Sequence, residues 1–415
     1  MRLLWLCNLM PGKVKEKLYG SEQNGGLWVD HVLSDLRQLG MTILILCPGD
    51  GSKGELDEKC SFATFQEPYA FRYQSDLEND FSGILETYNP DVLHIWGSEF
   101  GHTLAMINAA EKKGILDRTV ISIQGLSWAC AVHYMEGLPE SIQRMYTFRD
   151  LIRRDNIVKQ QRKFELRGKM EIEALQKVRH VIGRTQWDKA CTWNFHPEVK
   201  YHFCNETLRQ PFYEGLWHYD TCKKYRIFAS SCAYPIKGFH RLLEAFAEVV
   251  KQYPDATLAV PGRSFLSENW KERLHLGSYE IYLRNLVRQH NLAGRISFLG
   301  DLSAEQMREA FLEANVFVMP SSIENSSNSL GEAMLLGMPC VASNVGGTKE
   351  LMADGREGYL YQSTASYLLA YHIQQIFAME KQAEMLGQAA RSHAIRTHDP
   401  KTNLKTLLEI YQSLL

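Results

Sequence analysis

Two glutamates, Glu324 and Glu332, have the residue type and spacing most suggestive of chemistry. They sit in the segment from Val316 to Pro339, which reads as a buried strand up to Pro320, a polar loop, and a helix starting near Asn328 or Ser329. Ala333, Met334, Leu335 and Leu336 favour that helix, and Gly337 before Met338-Pro339 stops it. Free backbone N–H groups at the helix start, around Asn328, Ser329 and Leu330, combine with the helix dipole into an anion site suited to a diphosphate. In the first helical turn, Glu332 could accept both hydroxyls of an adjacent ribose. Glu324, upstream in the loop, could meet hydroxyls of a sugar, each charged hydrogen bond contributing about 1.5–3 kcal/mol. Each also has a plainer role: Ser329-x-x-Glu332 spells a capping box, and Glu324 reads equally as a solvated loop carboxylate.

The elements that must position these groups follow from the apolar pattern. Runs at Leu3–Cys7, Thr42–Cys47, Val92–Trp96, Val120–Ile123 and His180–Gly183 alternate with helix-length stretches such as Gly26–Leu39 and Thr103–Lys113. The rhythm breaks between about Thr192 and Tyr225. It resumes at Arg226–Ala229, Thr257–Val260, Arg295–Leu299, Val316–Met319, Cys340–Ala342 and Tyr359–Tyr361. Strand–helix alternation predicts parallel α/β sheets, and a chain of 415 residues exceeds what one core usually holds. The expectation is two doubly wound Rossmann-like domains, residues 1–215 and 216–397, facing across a cleft at their strands' carboxyl ends. The last helix, near 398–415, lacks its own strand and is expected to pack back on the first domain.

Composition narrows the function classes. A formal charge of -2 excludes the strongly basic footprint of a nucleic-acid binder. Nine scattered cysteines without a C-x-x-C pair suit a reducing compartment and buried thiols. No metal-binding pattern stands out. The start Met1-Arg2-Leu3-Leu4-Trp5-Leu6-Cys7 reads as a first buried strand and not as a signal peptide, because its apolar run ends at Asn8. A cytoplasmic protein is expected.

The stretch from Glu324 to Pro339 resembles the donor-site signature of glycosyltransferase family 4, retaining enzymes with the two-domain GT-B fold. Glu324 and Glu332 match its two glutamates, and Ala333-Met334, Gly337 and Pro339 match its tail. Val345-Gly346-Gly347 and Glu350 follow at the expected distance. Pro235-Ile236-Lys237-Gly238 and Leu242-Leu243-Glu244-Ala245-Phe246 resemble another block of that family. Likeness is weaker in the first half: Gly25-Gly26, Pro90-Asp91-Val92-Leu93-His94 and Gly183-Arg184-Thr185 carry it.

This resemblance implies transfer of a sugar from a nucleoside-diphosphate sugar with retention of configuration, without an obligatory metal or other cofactor. The acceptor would be a glycan or a lipid-linked glycan, in bacterial cell-surface polysaccharide synthesis. Lys237 would then neutralise the departing diphosphate, and Gly25 and Gly26 would let backbone approach it. Two departures matter. Where many relatives carry an arginine, this chain has Ser231, for which Arg263 is a candidate substitute. Where they carry His-Gly, it has Gln124-Gly125, and glutamine cannot titrate near neutrality. An epimerase or phosphorylase on the same scaffold, or a silent nucleotide-sugar-binding protein, are the other readings.

Residues 151–170 carry seven basic residues against Asp155 and Glu165. Read as one helix with interspersed apolar residues, this stretch is expected either to be a solvated face or to touch anionic lipid at the inner face of the plasma membrane.

Overall fold

The computed structural model describes residues 1–20 and 28–415, which form two units, each around its own sheet. Gly25 and Gly26 lie outside the described residues.

The first unit comprises residues 1–131, 163–209 and 398–415. Its strands are β1 (Arg2–Cys7), β2 (Thr42–Pro48), β3 (Lys53–Asp57), β4 (Cys60–Phe65), β5 (Val92–Trp96), β6 (Thr119–Ser122), β7 (His180–Gly183) and β8 (Lys200–Phe203). They lie in the order β3-β4-β2-β1-β5-β6-β7-β8, and all pairs are parallel except β3 with β4. In β1, residues Leu3 to Cys7 are all buried, as expected for a strand covered on both faces. Trp5 pairs in register with Ile45 on one side and His94 on the other.

The helix Pro400–Ser413 belongs to this unit, and Leu407, Ile410 and Tyr411 join its core. The Trp5 indole N–H donates to the Tyr411 hydroxyl at 3.2 Å. His94 bonds that hydroxyl at 2.6 Å and Ser122 Oγ at 2.7 Å. Burial pushes the His94 imidazole down to about 3, so it is a neutral core link between strand and helix.

The second unit comprises residues 132–162 and 210–397. Its strands are β9 (Arg226–Phe228), β10 (Thr257–Val260), β11 (Ile296–Phe298), β12 (Val316–Met319), β13 (Cys340–Ser343) and β14 (Tyr359–Tyr361). All are parallel, in the order β11-β10-β9-β12-β13-β14. From β9 the chain builds β10 and β11 outward to one side and then returns to build β12, β13 and β14 on the other. The strand order therefore reverses between β9 and β12.

Three differences from the sequence reading have physical reasons. Residues 132–162, placed with the first half by sequence, group with the second unit: buried Arg241 donates to Glu136 at 3.0 Å, and Ser278 N–H donates to Asp150 at 3.1 Å. The 151–170 stretch is not one helix. The helix Phe148–Arg153 ends on Arg154 in a left-handed conformation (φ 49°), and a new helix runs Ile157–Lys177. Strands β3, β4 and β8 were missed because they are only partly buried and mix polar with apolar residues, without the mainly apolar run that marked the others.

Among the described residues no helix is long and apolar enough to cross a membrane, and no group of acidic, His or Cys side chains is placed to hold a metal. None of the nine cysteines, all among the described residues, forms a disulfide, and seven of them are buried.

Candidate functional site

The carboxyl ends of β9 and β12 are neighbours because those strands pair, with Phe317 opposite Phe228. A point where strand order reverses opens a crevice at the strand ends, since the connections leave in opposite directions. The loops that follow the two strands meet there. After β9 comes a single turn of 3-10 helix, Pro235–Lys237, closed by Gly238 at φ +65°. After β12 comes Pro320 and the loop carrying Glu324.

These loops are pressed together. A Cβ on Gly238 would lie 1.8 Å from the Pro320 carbonyl oxygen, so only glycine fits, on steric as well as conformational grounds. Ser322 N–H donates to the Ile236 carbonyl at 2.7 Å across the same seam. On the other flank, after β13, Gly346 has φ +52°, and a Cβ there would lie 1.9 Å from the Glu324 carbonyl oxygen. Gly347 N–H donates to that carbonyl at 3.2 Å, and Ser343 Oγ donates to the Ser321 carbonyl at 2.6 Å. The Glu324 loop is thus clamped by glycine turns from both adjacent strands.

That clamp brings together two side chains 87 residues apart: Lys237 Nζ donates to Glu324 Oε1 at 2.7 Å. Ser321 Oγ donates to the same oxygen, also at 2.7 Å. Both charged side chains are partly exposed, which leaves them open to a ligand. Ser321 was not singled out from sequence; a hydroxyl three residues before the glutamate was the available signal.

The helix Asn328–Leu335 follows directly. Its N-cap is Ser327, whose Oγ accepts the Leu330 N–H at 3.4 Å. The anticipated capping box between Ser329 and Glu332 is therefore absent: the cap lies two residues earlier, and Glu332 falls beyond the first turn. Its side chain is buried, with the residue only 2% exposed. Of the three helix-start residues, Leu330 has its N–H committed to the cap, while Asn328 and Ser329 are the first two helical residues. The helix ends at Leu335 with Leu336 as its C-cap, followed by Gly337 in a left-handed conformation (φ +69°), as its sequence indicated.

The remaining candidates are spread more widely. Ser231 lies in the loop after β9, where its Oγ accepts the Ala233 N–H at 3.3 Å. Beside it, burial pushes the Cys232 thiol up to about 12, so it stays protonated. Arg263, after β10, donates to Glu280 at 3.1 Å on the exposed surface, not to the Lys237–Glu324 pair. Gln124 belongs to the first unit, after β6, where it donates to Glu206 and its carbonyl accepts from Arg184 at 3.1 Å. Arg184 also donates to Glu206 at 2.6 Å, so Gln124 is part of a local ion-pair network.

The first unit also gathers acidic groups at its strand ends that sequence did not reveal. Glu99, after β5, accepts the Gly125 N–H at 3.0 Å. Glu171, fully buried, accepts from Ser98 Oγ at 2.7 Å and from Trp128 N–H at 3.1 Å. Burial, reinforced by the Glu99 charge, pushes the Glu171 carboxyl up to about 8. His102 is buried between Glu67 at 2.7 Å and Asn8 at 3.0 Å.

The clamped pair at the switch point, followed by a buried glutamate on the next helix, lies within the stretch that comparison with known proteins picks out. Residues 221–393 match the family described as glycosyl transferases group 1. The matched residues span most of the second unit. A D-inositol 3-phosphate glycosyltransferase of Corynebacterium urealyticum is 28% identical over 179 residues, 43% of this chain and 41% of the relative. A GDP-mannose-dependent mannosyltransferase of Mycolicibacterium smegmatis is 26% identical over 183 residues, 42% of this chain and 44% of the relative. Both matches span less than half of those relatives' own length.

Solved structures match the whole chain. Sucrose-phosphate synthase from Thermosynechococcus elongatus superposes with a TM-score of 0.72 at 17% identity, covering 100% of this chain and 99% of that one. HepE of Anabaena in complex with UDP-glucose superposes with a TM-score of 0.68 at 17% identity, covering 100% of both chains. The fold is accordingly the GT-B type, two Rossmann-like parallel-sheet units, and the residues that match the group 1 family lie in the second.

Proposed function

We propose that this chain is a retaining glycosyltransferase of the family 4 type that binds a nucleoside-diphosphate sugar on the group 1 domain and transfers its sugar to a glycan or lipid-linked acceptor. The observation that carries this reading is the Lys237–Glu324 pair at the β9/β12 switch point, held by Gly238 and Gly346, with Glu332 buried on the helix that follows. Support for the donor class comes from one relative named as GDP-mannose-dependent and from a like-folded structure holding UDP-glucose. A place in bacterial cell-surface polysaccharide synthesis is part of the same proposal.

In this mechanism the bond between the sugar's anomeric carbon and the diphosphate oxygen breaks, and its electron pair stays with the diphosphate. The acceptor oxygen forms the new bond on the same face, and its proton passes to the departing phosphate. The protein's task is electrostatic. Lys237 meets the growing phosphate charge, and the first amides of the helix Asn328–Leu335 supply further donors. Removing one such preorganised donor typically costs about 10²–10³ in turnover. Glu332 receives the ribose hydroxyls and Glu324 those of the transferred sugar. With charge stabilised this way, the step needs neither a metal nor a protein base.

The test is a panel of nucleotide sugars scored for binding and for slow hydrolysis, with the released sugar's anomeric form read by NMR. The expected result is one donor class that binds and releases sugar with its configuration retained. Binding of none, or release with inversion, would overturn the reading. Epimerisation of a bound donor would point to the epimerase alternative.

A further inference from the structure

Residues 144–159 of the second unit are built inside out. The acid of the helix Phe148–Arg153 faces inward: Asp150 is buried, forms a capping box with Thr147, and accepts from Ser278 N–H and Oγ on the helix Ser278–Gln289. Its large apolar residues face outward instead. Phe148, Leu151 and Ile152 are 55%, 62% and 67% exposed. Spaced i, i+3, i+4, they form one stripe, the arrangement that on an ordinary helix turns toward the core. Tyr146 and Val158 are exposed on either side. Arg153, Arg154 and Lys159 are exposed around the stripe, and Arg154 is turned out by its left-handed backbone.

The combination selects an occupant. Three side chains on a six-residue helix, an aromatic one supplying at most about 250 Å², fall short of the roughly 800 Å² per partner of a stable protein interface. An anionic bilayer needs far less. Apolar side chains enter the boundary between headgroups and acyl chains, while Lys and Arg meet the headgroup phosphates.

We propose that residues 146–159 dock on an anionic lipid surface, Phe148, Leu151 and Ile152 inserting and Arg153, Arg154 and Lys159 contacting the headgroups. This face is smaller than, and shifted from, the 151–170 stretch that charge alone indicated, because Lys163 lies over the Phe71 ring and Arg167 over Phe100 and Phe164. It rests on exposure and charge in residues 146–159 and is independent of the donor-site reading.

The experiment is flotation of the full chain with vesicles of phosphatidylglycerol and phosphatidylcholine, against pure phosphatidylcholine, at low and high salt. Recovery with the anionic vesicles at low salt is expected, with a loss of about tenfold or more on neutral vesicles or at high salt. The paired variants Leu151→Ser with Ile152→Ser, and Arg153→Glu with Arg154→Glu, should each lower recovery by about tenfold. All substituted positions are exposed, so unchanged thermal midpoints are expected for both pairs; a pair that shifts its midpoint is replaced by Phe148→Ser or Lys159→Glu. Absence of recovery at low salt, or recovery of both variant pairs equal to that of the wild type, would overturn the proposal. So would concentration-dependent dimerisation that the Leu151→Ser, Ile152→Ser pair abolishes, since a second copy would then be the occupant.

Discussion

At the scale of single residues, environment sorts the carboxylates into distinct roles. Glu324 accepts from a lysine and a hydroxyl, Glu332 is buried within a helix, and Glu171 is enclosed where burial favours its protonated form. The last makes a pH prediction. Burial raises the Glu171 pKa from about 4.5 to about 8, so between those values the folded protein holds a proton that the unfolded chain has lost. Its contribution is complete below about pH 4.5 and disappears as pH rises through 8. The Glu171→Gln variant, neutral throughout, should lose less of its urea midpoint than wild type between mildly acidic and alkaline pH. Parallel losses would show that the carboxyl is ionised in the fold. Sequence could expose Glu324 and Glu332 because their spacing sits in a recognisable segment. It could not expose Glu171 or Ser321, whose roles come from neighbours that only the folded chain supplies. The Ser329–Glu332 capping pattern was legible too, yet the helix was capped at Ser327, a choice between two serines set by loop geometry.

At the scale of elements, the proposed donor site depends on three parallel strands whose trailing loops are in van der Waals contact. Gly238 is the tightest point, with a left-handed backbone and no room for a methyl group against Pro320. Gly238→Ala should cost at least about 2 kcal/mol, from backbone strain and from the forced shift of the Pro320 carbonyl, and should weaken donor binding with it. Gly355→Ala is the control: its φ is +71° but nothing lies within 4 Å, so it adds strain alone. Equal destabilisation in chemical denaturation, with donor binding unchanged in both, would show that the Gly238 contact does not position Lys237. The central strands were readable within a residue or two because each is built on a mainly apolar, buried run. The edges β3 and β8 were not, since an edge strand faces water and its alternation is weak. Charge likewise merged residues 151–170 into one helix, whereas the chain turns at Arg154, and no local pattern marked that break.

At the scale of the whole molecule, the chain passes between its units four times, at 131/132, 162/163, 209/210 and 397/398. The last crossing was legible, because a helix without a strand of its own must bury its apolar stripe elsewhere, and Tyr411 does so against Trp5 and His94. The excursion of residues 132–162 was not, since it depends on two polar ties, Arg241 to Glu136 and Ser278 to Asp150, between residues more than a hundred positions apart. That the same plan superposes on solved structures at 17% identity shows how little of it depends on particular surface residues. Function depends on particular residues far more strongly. The most direct measurement is donor titration by calorimetry, alongside steady-state turnover, for wild type, Glu332→Ala and Glu324→Gln. Loss of the buried Glu332 carboxylate should weaken donor binding about 10- to 100-fold. Glu324→Gln should leave affinity within about threefold while lowering turnover about 100-fold, because its bonds tighten as the sugar departs. Near-wild-type affinity and turnover in both variants would contradict the assignment of the donor to this site.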